Sequence, residues 1–203
     1  MSTFSPSRLG IALVSLGLPL LAGSGAEGPE FGATIKVQRP LGEYQTKVLD
    51  SGLGYGLGFR TRYDLRPDHG LSVRLDYDYF LKGGGETRGS NYLLEESIRT
   101  HALSLALAYE WRYSGTTPGG YLLIGPIYQR WTNHHDFTYS QTLPGSIPAS
   151  YSLNTTPSNV GIDAGWGYRG GTNSVTELHF VTSKYGSAGA TANSIQISFT
   201  QFW

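Results

Sequence analysis

Glu177 and His179 stand two residues apart, with the hydroxyl of Ser183 four residues further on. A carboxylate, an imidazole and a serine are the parts of nucleophilic acyl transfer, in which the base takes the hydroxyl proton and the acid orients the base. Residues two apart share one face of an extended chain. The same spacing therefore suits a histidine paired to a carboxylate in a polar interior, and the sequence is read that way, as non-enzymatic. His134-His135-Asp136 offers two rings and a carboxylate, but adjacent residues lack metal-site spacing, so no metal is expected. Gly54, Gly56 and Gly58 precede no helical pattern and make no nucleotide fingerprint. They read as space for long side chains opposite, and no cofactor is expected.

These residues sit in segments of strict alternation. Leu53, Tyr55, Leu57, Phe59, Thr61, Tyr63 and Leu65 share one face, opposite Gly54, Gly56, Gly58, Arg60, Arg62 and Asp64. Leu71 to Leu81 alternates with Ser72, Arg74, Asp76, Asp78 and Phe80; Leu103 to Tyr113 with Ala102, Ser104, Ala106, Ala108, Glu110 and Arg112; Val160 to Tyr168 with Gly161, Asp163, Gly165, Gly167 and Arg169. Weaker strands are expected at Phe31 to Val37 and Thr176 to Phe180. Tyr121 to Trp131 is an apolar run of open register, with a bulge expected at Pro126 because proline cannot donate to a ladder. Ile195 to Trp203 alternates again, which brings the count to eight. Runs of about ten residues suit tilted membrane strands better than the five or six usual in soluble sheets.

Connections alternate in length. Pro67 to Gly70, Ser114 to Gly120 and Gly170 to Ser174 are short, whereas Gln38 to Asp50, Lys82 to Arg99, Thr132 to Asn159 and Ser183 to Ala192 are long. Short periplasmic turns and long outer loops are the outer-membrane pattern. The expected fold is all-β, an eight-stranded antiparallel up-and-down transmembrane barrel.

Composition agrees. The chain has 28 glycines and 14 tyrosines, no cysteine, and only 15% charged residues against roughly 25% in soluble domains. Arg8 is the only charge before Glu27, and an apolar stretch from Leu9 to Ala22 leads to Ser24-Gly25-Ala26. That is a secretory signal, 1–26, with a predicted cut after Ala26 and a barrel over 27–203. The remaining 14 basic and 15 acidic residues give no electrostatic case for nucleic acid.

Alternation places six cations (Lys36, Arg60, Arg62, Arg74, Arg112, Arg169) and six acids (Asp64, Asp76, Asp78, Glu110, Asp163, Glu177) in the lumen. An eight-stranded barrel has just enough interior for side chains to fill, and buried charges must be paired. The set is expected to be a structural plug, with a narrow solute pore as the alternative. Asp68-His69-Gly70 suits a three-residue hairpin loop with Gly70 left-handed. That register sets Asp64 opposite Arg74, Arg62 opposite Asp76 and Arg60 opposite Asp78, as three stacked cross-strand ion pairs.

Across 27–203 the pattern resembles the small OmpA/OmpX type of bacterial outer-membrane barrel. The resemblance implies an outer-membrane location and assembly by the barrel machinery, read from terminal Trp203 together with Phe199. It also implies contact with outer-membrane lipid and lipopolysaccharide, whose phosphates Arg39, Lys47, Lys82, Arg88, Arg99 and Lys184 could meet at the outer rim. The expected function is a non-enzymatic barrel that presents its loops for binding or stabilises the outer membrane, with aromatic residues of the long loops (Tyr92, Trp131, Phe137, Tyr139, Tyr151 and Tyr185) as candidates for recognising an extracellular ligand or protein. Around His179 the chain is faintly similar to lipid A deacylases, barrels with a His-x-Ser motif. That likeness implies the alternative function, lipid A modification, although Val181 stands where the motif has serine.

Overall fold

The computed structural model describes residues 28–42, 52–113, 118–141, 147–171, 173–185 and 190–203. Residues 1–27, and with them the expected signal segment, lie outside the described residues, as does Lys47. The strands are β1 (Glu30–Leu41), β2 (Gly54–Arg66), β3 (His69–Arg88), β4 (Tyr92–Arg112), β5 (Gly119–Gln141), β6 (Ala149–Thr155), β7 (Ser158–Arg169), β8 (Ser174–Tyr185) and β9 (Ala190–Phe202). All pairings are antiparallel, and eight strands close into a ring, β1-β2-β3-β4-β5-β7-β8-β9, sealed by β9 against β1. Closure removes both sheet edges, the condition for crossing lipid with strands.

Alternation decides the faces. Leu57 and Phe59 are each 67% exposed on the outer wall, while Arg62, Asp76, Asp78 and Glu110 are at most 1% exposed inside. A soluble barrel would reverse this. The outer wall carries Ile35, Val37, Leu75, Leu103, Leu105, Leu107, Ile124, Ile162, Leu178 and Ile197, and Trp111, Tyr113, Trp166 and Tyr168 gather at one end.

The β2–β3 register differs from the sequence expectation. Arg60 stands opposite Arg74, Arg62 opposite Ser72, and Gly56 and Gly58 opposite Asp78 and Asp76. The turn is the two-residue link Pro67-Asp68, with a bulge between Asp64 and Arg66. Proline pre-sets the first turn position, which outweighs the left-handed option at Gly70. Gly70 pairs within the ladder opposite Asp64.

Two expected loops are largely strand. β3 and β4 continue as a hairpin to Arg88 and Tyr92, and β5 runs on to pair with β6. Beyond the ring, β3-β4-β5-β6 thus form a four-stranded sheet above one barrel end. The expected bulge at Pro126 is absent. Ala106 pairs with Ile127 and Tyr109 with Ile124 in one continuous register, with Pro126 turned outward. Gly125 lets the two backbones close up there, since a Cβ on it would lie 2.9 Å from the Ala108 Cα.

Candidate functional site

Among the described residues, buried side chains occupy the lumen at several levels. At the end bearing the four-stranded extension, Phe80, Ala102, Trp131 and Ala192 form an apolar plug, with the Phe80 and Trp131 rings 5.6 Å apart. Trp131 is 2% exposed inside the barrel, so it is a lumen residue and not the loop recognition candidate expected of it.

Below the plug, Lys36 Nζ donates to Asp76 Oδ2 at 2.8 Å and lies 3.1 Å from Asp78 Oδ1. Gly56 makes room for this: a Cβ there would stand 2.6 Å from the Lys36 Cε. Arg74 donates to Asp76 at 2.7 Å and across the barrel to Asp163 at 3.0 Å. Lower still, Arg60 donates to Glu110 at 2.6 Å and to Glu177, and Arg62 pairs with Glu110 at 2.8 Å while lying 5.4 Å over the Tyr121 ring. At the far rim Arg112 pairs with Asp64, and Arg169 with Glu30 at 2.6 Å.

The three expected cross-strand pairs are therefore not formed. Two arginines face each other on β2 and β3, yet each is held by two carboxylates, and those come mostly from β4, β7 and β8 on other walls. Like charges directly opposite are unfavourable. Two charge-assisted hydrogen bonds per guanidinium outweigh that, because such bonds strengthen away from water. The network ties the walls of the barrel together instead of zipping one hairpin.

His179 lies at the centre of this network. Its Nδ1 is 2.9 Å from Asp163 Oδ1, and its Nε2 is 3.3 Å from Glu177 Oε2 and 3.4 Å from the Ser198 hydroxyl. Ser183 is elsewhere, donating to Gln129 at 2.9 Å. Asp163, His179 and Ser198 are thus the acid–imidazole–hydroxyl set that the structure brings together. Ser198 escaped notice in the sequence because it is remote from His179 and adjoins it only through β8–β9 pairing. The cavity beside His179 is about 10 Å³, bounded by Arg60, Ser72, Arg74 and Asp163 among others. That is room for one water at most, and for no acyl chain.

On the extension, Phe137 stacks on Tyr151 at 4.7 Å and Tyr92 on Tyr139 at 5.9 Å. Tyr151 is 58% exposed. His134 and Arg99 both approach Asp136, each at 2.8 Å, and Ser152 donates to it at 2.7 Å. His135 instead pairs with Glu96 at 2.8 Å. The Ser152 and Arg99 hydrogen bonds hold the Asp136 carboxyl below the usual carboxylate range. Among the described residues no group of three or more His, Cys, Asp or Glu side chains could hold a metal. Phe199 faces outward, and the Trp203 N–H donates to the Phe31 carbonyl at 3.0 Å, bracing β9 against β1.

An apolar outer wall, a buried ionic lumen and short turns opposite a long extension define the architecture of a small eight-stranded transmembrane β-barrel. No protein-family model matches the chain, and no curated protein sequence matches it. Among solved structures, the chain is similar to a major outer membrane protein from Thermus thermophilus, at 13% identity and TM-score 0.47 over 87% of this chain and 100% of that one. It is also similar to Ail, the attachment invasion locus protein of Yersinia pestis, at 11% identity and TM-score 0.45 over 86% and 97%. The N-terminal barrel domain of Pseudomonas aeruginosa OprF compares at 14% identity and TM-score 0.42 over 86% and 98%.

Proposed function

We propose that the protein is a non-enzymatic outer-membrane barrel that presents its β3-β4-β5-β6 extension at the cell surface for binding. The observation that carries this is the extension itself: two hairpins longer than a membrane crossing needs, ending in exposed aromatic side chains on a rigid, paired scaffold. Ordered scaffolds that hold aromatic residues in the open suit recognition. The buried ionic lumen supports a structural role for the charges over a solute path. A planar bilayer with the purified barrel should accordingly stay at baseline conductance, and reproducible single-channel steps would favour the pore.

The presentation role is tested by placing a photoreactive amino acid at the exposed Tyr92, on β4 beside the β5–β6 hairpin, and irradiating intact cells. A discrete cross-linked product that disappears when His134 to Asn154 is deleted supports it. Deletion at that pair leaves Asn133 facing Thr155 and the ring intact. A protein that cross-links to nothing, in cells whose barrier to detergent depends equally on intact and hairpin-deleted barrels, would mark a membrane-stabilising role instead.

A further inference from the structure

Above the membrane the amphipathicity of the wall reverses. In the ring, outward positions are mainly apolar and inward ones mainly polar. On the extension the outward positions Glu95, Ser97, Asp136, Thr138, Ser150 and Ser152 are polar, because there they meet water instead of lipid. The inward positions carry Tyr92, Leu94, Phe137, Tyr139, Tyr151 and Leu153. This inward face continues the lumen wall above the barrel mouth, with Tyr151 58% and Leu153 52% exposed. An exposed apolar patch rimmed by polar residues marks a contact surface.

One rung of that face carries a charge. Gly85 on β3, Glu96 on β4, Phe137 on β5 and Tyr151 on β6 stand opposite one another in order across the sheet. His135 Nδ1 donates to Glu96 Oε1 at 2.8 Å, and Glu96 Oε2 has no partner among the described residues. A neutral imidazole leaves the carboxylate its charge. Glu96 is the only acid among the described inward residues of the extension. The His135 ring lies parallel to Phe137 at 6.0 Å, and Phe137 stacks on Tyr151, so the imidazole behind the carboxylate is held in place. On the other side a Cβ at Gly85 would meet nothing within 4 Å, so the space beside Glu96 is open.

Area decides the kind of occupant. Four strands span about 14 Å and the rungs from Tyr92 to Ile98 about 20 Å, or about 280 Å² in outline. That is about a third of the ~800 Å² per partner of a stable domain interface. It matches one extended segment of about six residues. A second copy in the same membrane is excluded, because both barrels would have to stand beneath the same face. We propose that the inward face of the extension docks one extended segment of a partner protein, with an arginine on Glu96 and apolar side chains on the rungs above and below. The guanidinium donates to the free Oε2 in a charge-assisted hydrogen bond, while its methylene stem covers apolar surface. Arginine suits the place better than lysine because its planar head is weakly hydrated and packs on rings. The inference names the partner chemistry of the surface-binding role proposed above and rests on that role.

The probes are fluorescent peptides of alternating leucine and threonine with a short ethylene-glycol tail, bearing arginine, citrulline or glutamate at the centre. Each is titrated against the whole barrel in phosphatidylcholine nanodiscs, with heat-modifiable gel migration scoring the folding of every variant. Wild type should bind the arginine peptide about tenfold more tightly than the citrulline one and should reject the glutamate peptide. Glu96→Gln should lose that advantage, and Glu96→Arg should prefer the glutamate peptide. Glu95→Gln, one residue along on the outward face, should match wild type. Equal affinity of wild type for the arginine and citrulline peptides, no binding of either, an unchanged preference in Glu96→Gln, or the same loss in Glu95→Gln would each overturn the proposal. Surface presentation is scored apart from this: failure of a membrane-impermeant maleimide to label Ser150→Cys on intact cells would defeat that role even where the peptide preference holds.

Discussion

Glu177→Ala is the sharpest test of the lumen network. The Glu177 carboxylate accepts from Arg60, from the Tyr121 hydroxyl at 2.5 Å and from Ser198 at 3.3 Å, and faces His179 at 3.3 Å. Its side chain is fully buried, as is nearly all of Arg60. Removing it leaves the guanidinium with Glu110 as its remaining carboxylate, beside the Ser72 hydroxyl at 3.3 Å, and the Tyr121 hydroxyl without its acceptor. Breaking a buried ion pair from one side costs about 3–5 kcal/mol. An orphaned buried hydroxyl costs about 1–3 kcal/mol, though the two losses overlap and do not simply add. An overall destabilisation of about 4 kcal/mol is expected from the pair term, read as the shift in urea midpoint for the barrel refolded in micelles. Adding Arg60→Ala should cost less than the two single losses together, with a coupling of about 0.5–3 kcal/mol. A loss below about 1 kcal/mol in Glu177→Ala, or strict additivity in the double variant, would refute a cross-lumen network centred on this carboxylate.

Two further outcomes follow from the same geometry. At Gly58, opposite Asp76, a Cβ would lie 2.7 Å from the Leu75 carbonyl oxygen, so Gly58→Val should destabilise the barrel by about 1–3 kcal/mol. Gly85→Ala, where a Cβ meets nothing within 4 Å, should change urea stability by less than about 0.5 kcal/mol, and equal effects at both sites would be a failure. Asp136 is held below its usual range by Ser152 and Arg99, so its contribution to the β5–β6 hairpin is present above the ordinary carboxylate value and lost as pH falls through the depressed one. Amide exchange in β6, compared at matched intrinsic rates, should rise on acidification in wild type and much less in Asp136→Asn; the same profile in both would contradict it.

The facing of the strands was readable from the chain because a period of two leaves no choice once one face must meet lipid. Arg60, Arg62, Arg74, Asp76, Asp78, Glu110 and Asp163 are all buried inside, as the alternation predicts. The β2–β3 register was not, because charge matching within one hairpin is the wrong criterion when partners reach across a narrow lumen. Pro67 held the better clue. The extension was hidden by Gly83-Gly84-Gly85 and by the polar residues from His134 to Gln141, which read as loop although cross-strand pairing makes them strand. Trp131 read as a loop aromatic because its segment is apolar on both faces, and only the register turns it inward. The Asp163–His179–Ser198 grouping depends on three strands meeting, which no local spacing reveals.

The central claim is that the apolar face meets lipid and the charged face is sealed inside. The chain has no cysteine, so single reporters can be placed without background. A nitroxide on Leu105→Cys, 45% exposed on the outer wall, and one on Ser104→Cys, 1% exposed in the lumen, would be compared in bilayers for collision with oxygen and with a water-soluble nickel complex. The account predicts high oxygen and negligible nickel contact at position 105, and little contact with either at 104. Strong nickel contact at 105, or free nickel access at 104, would contradict it.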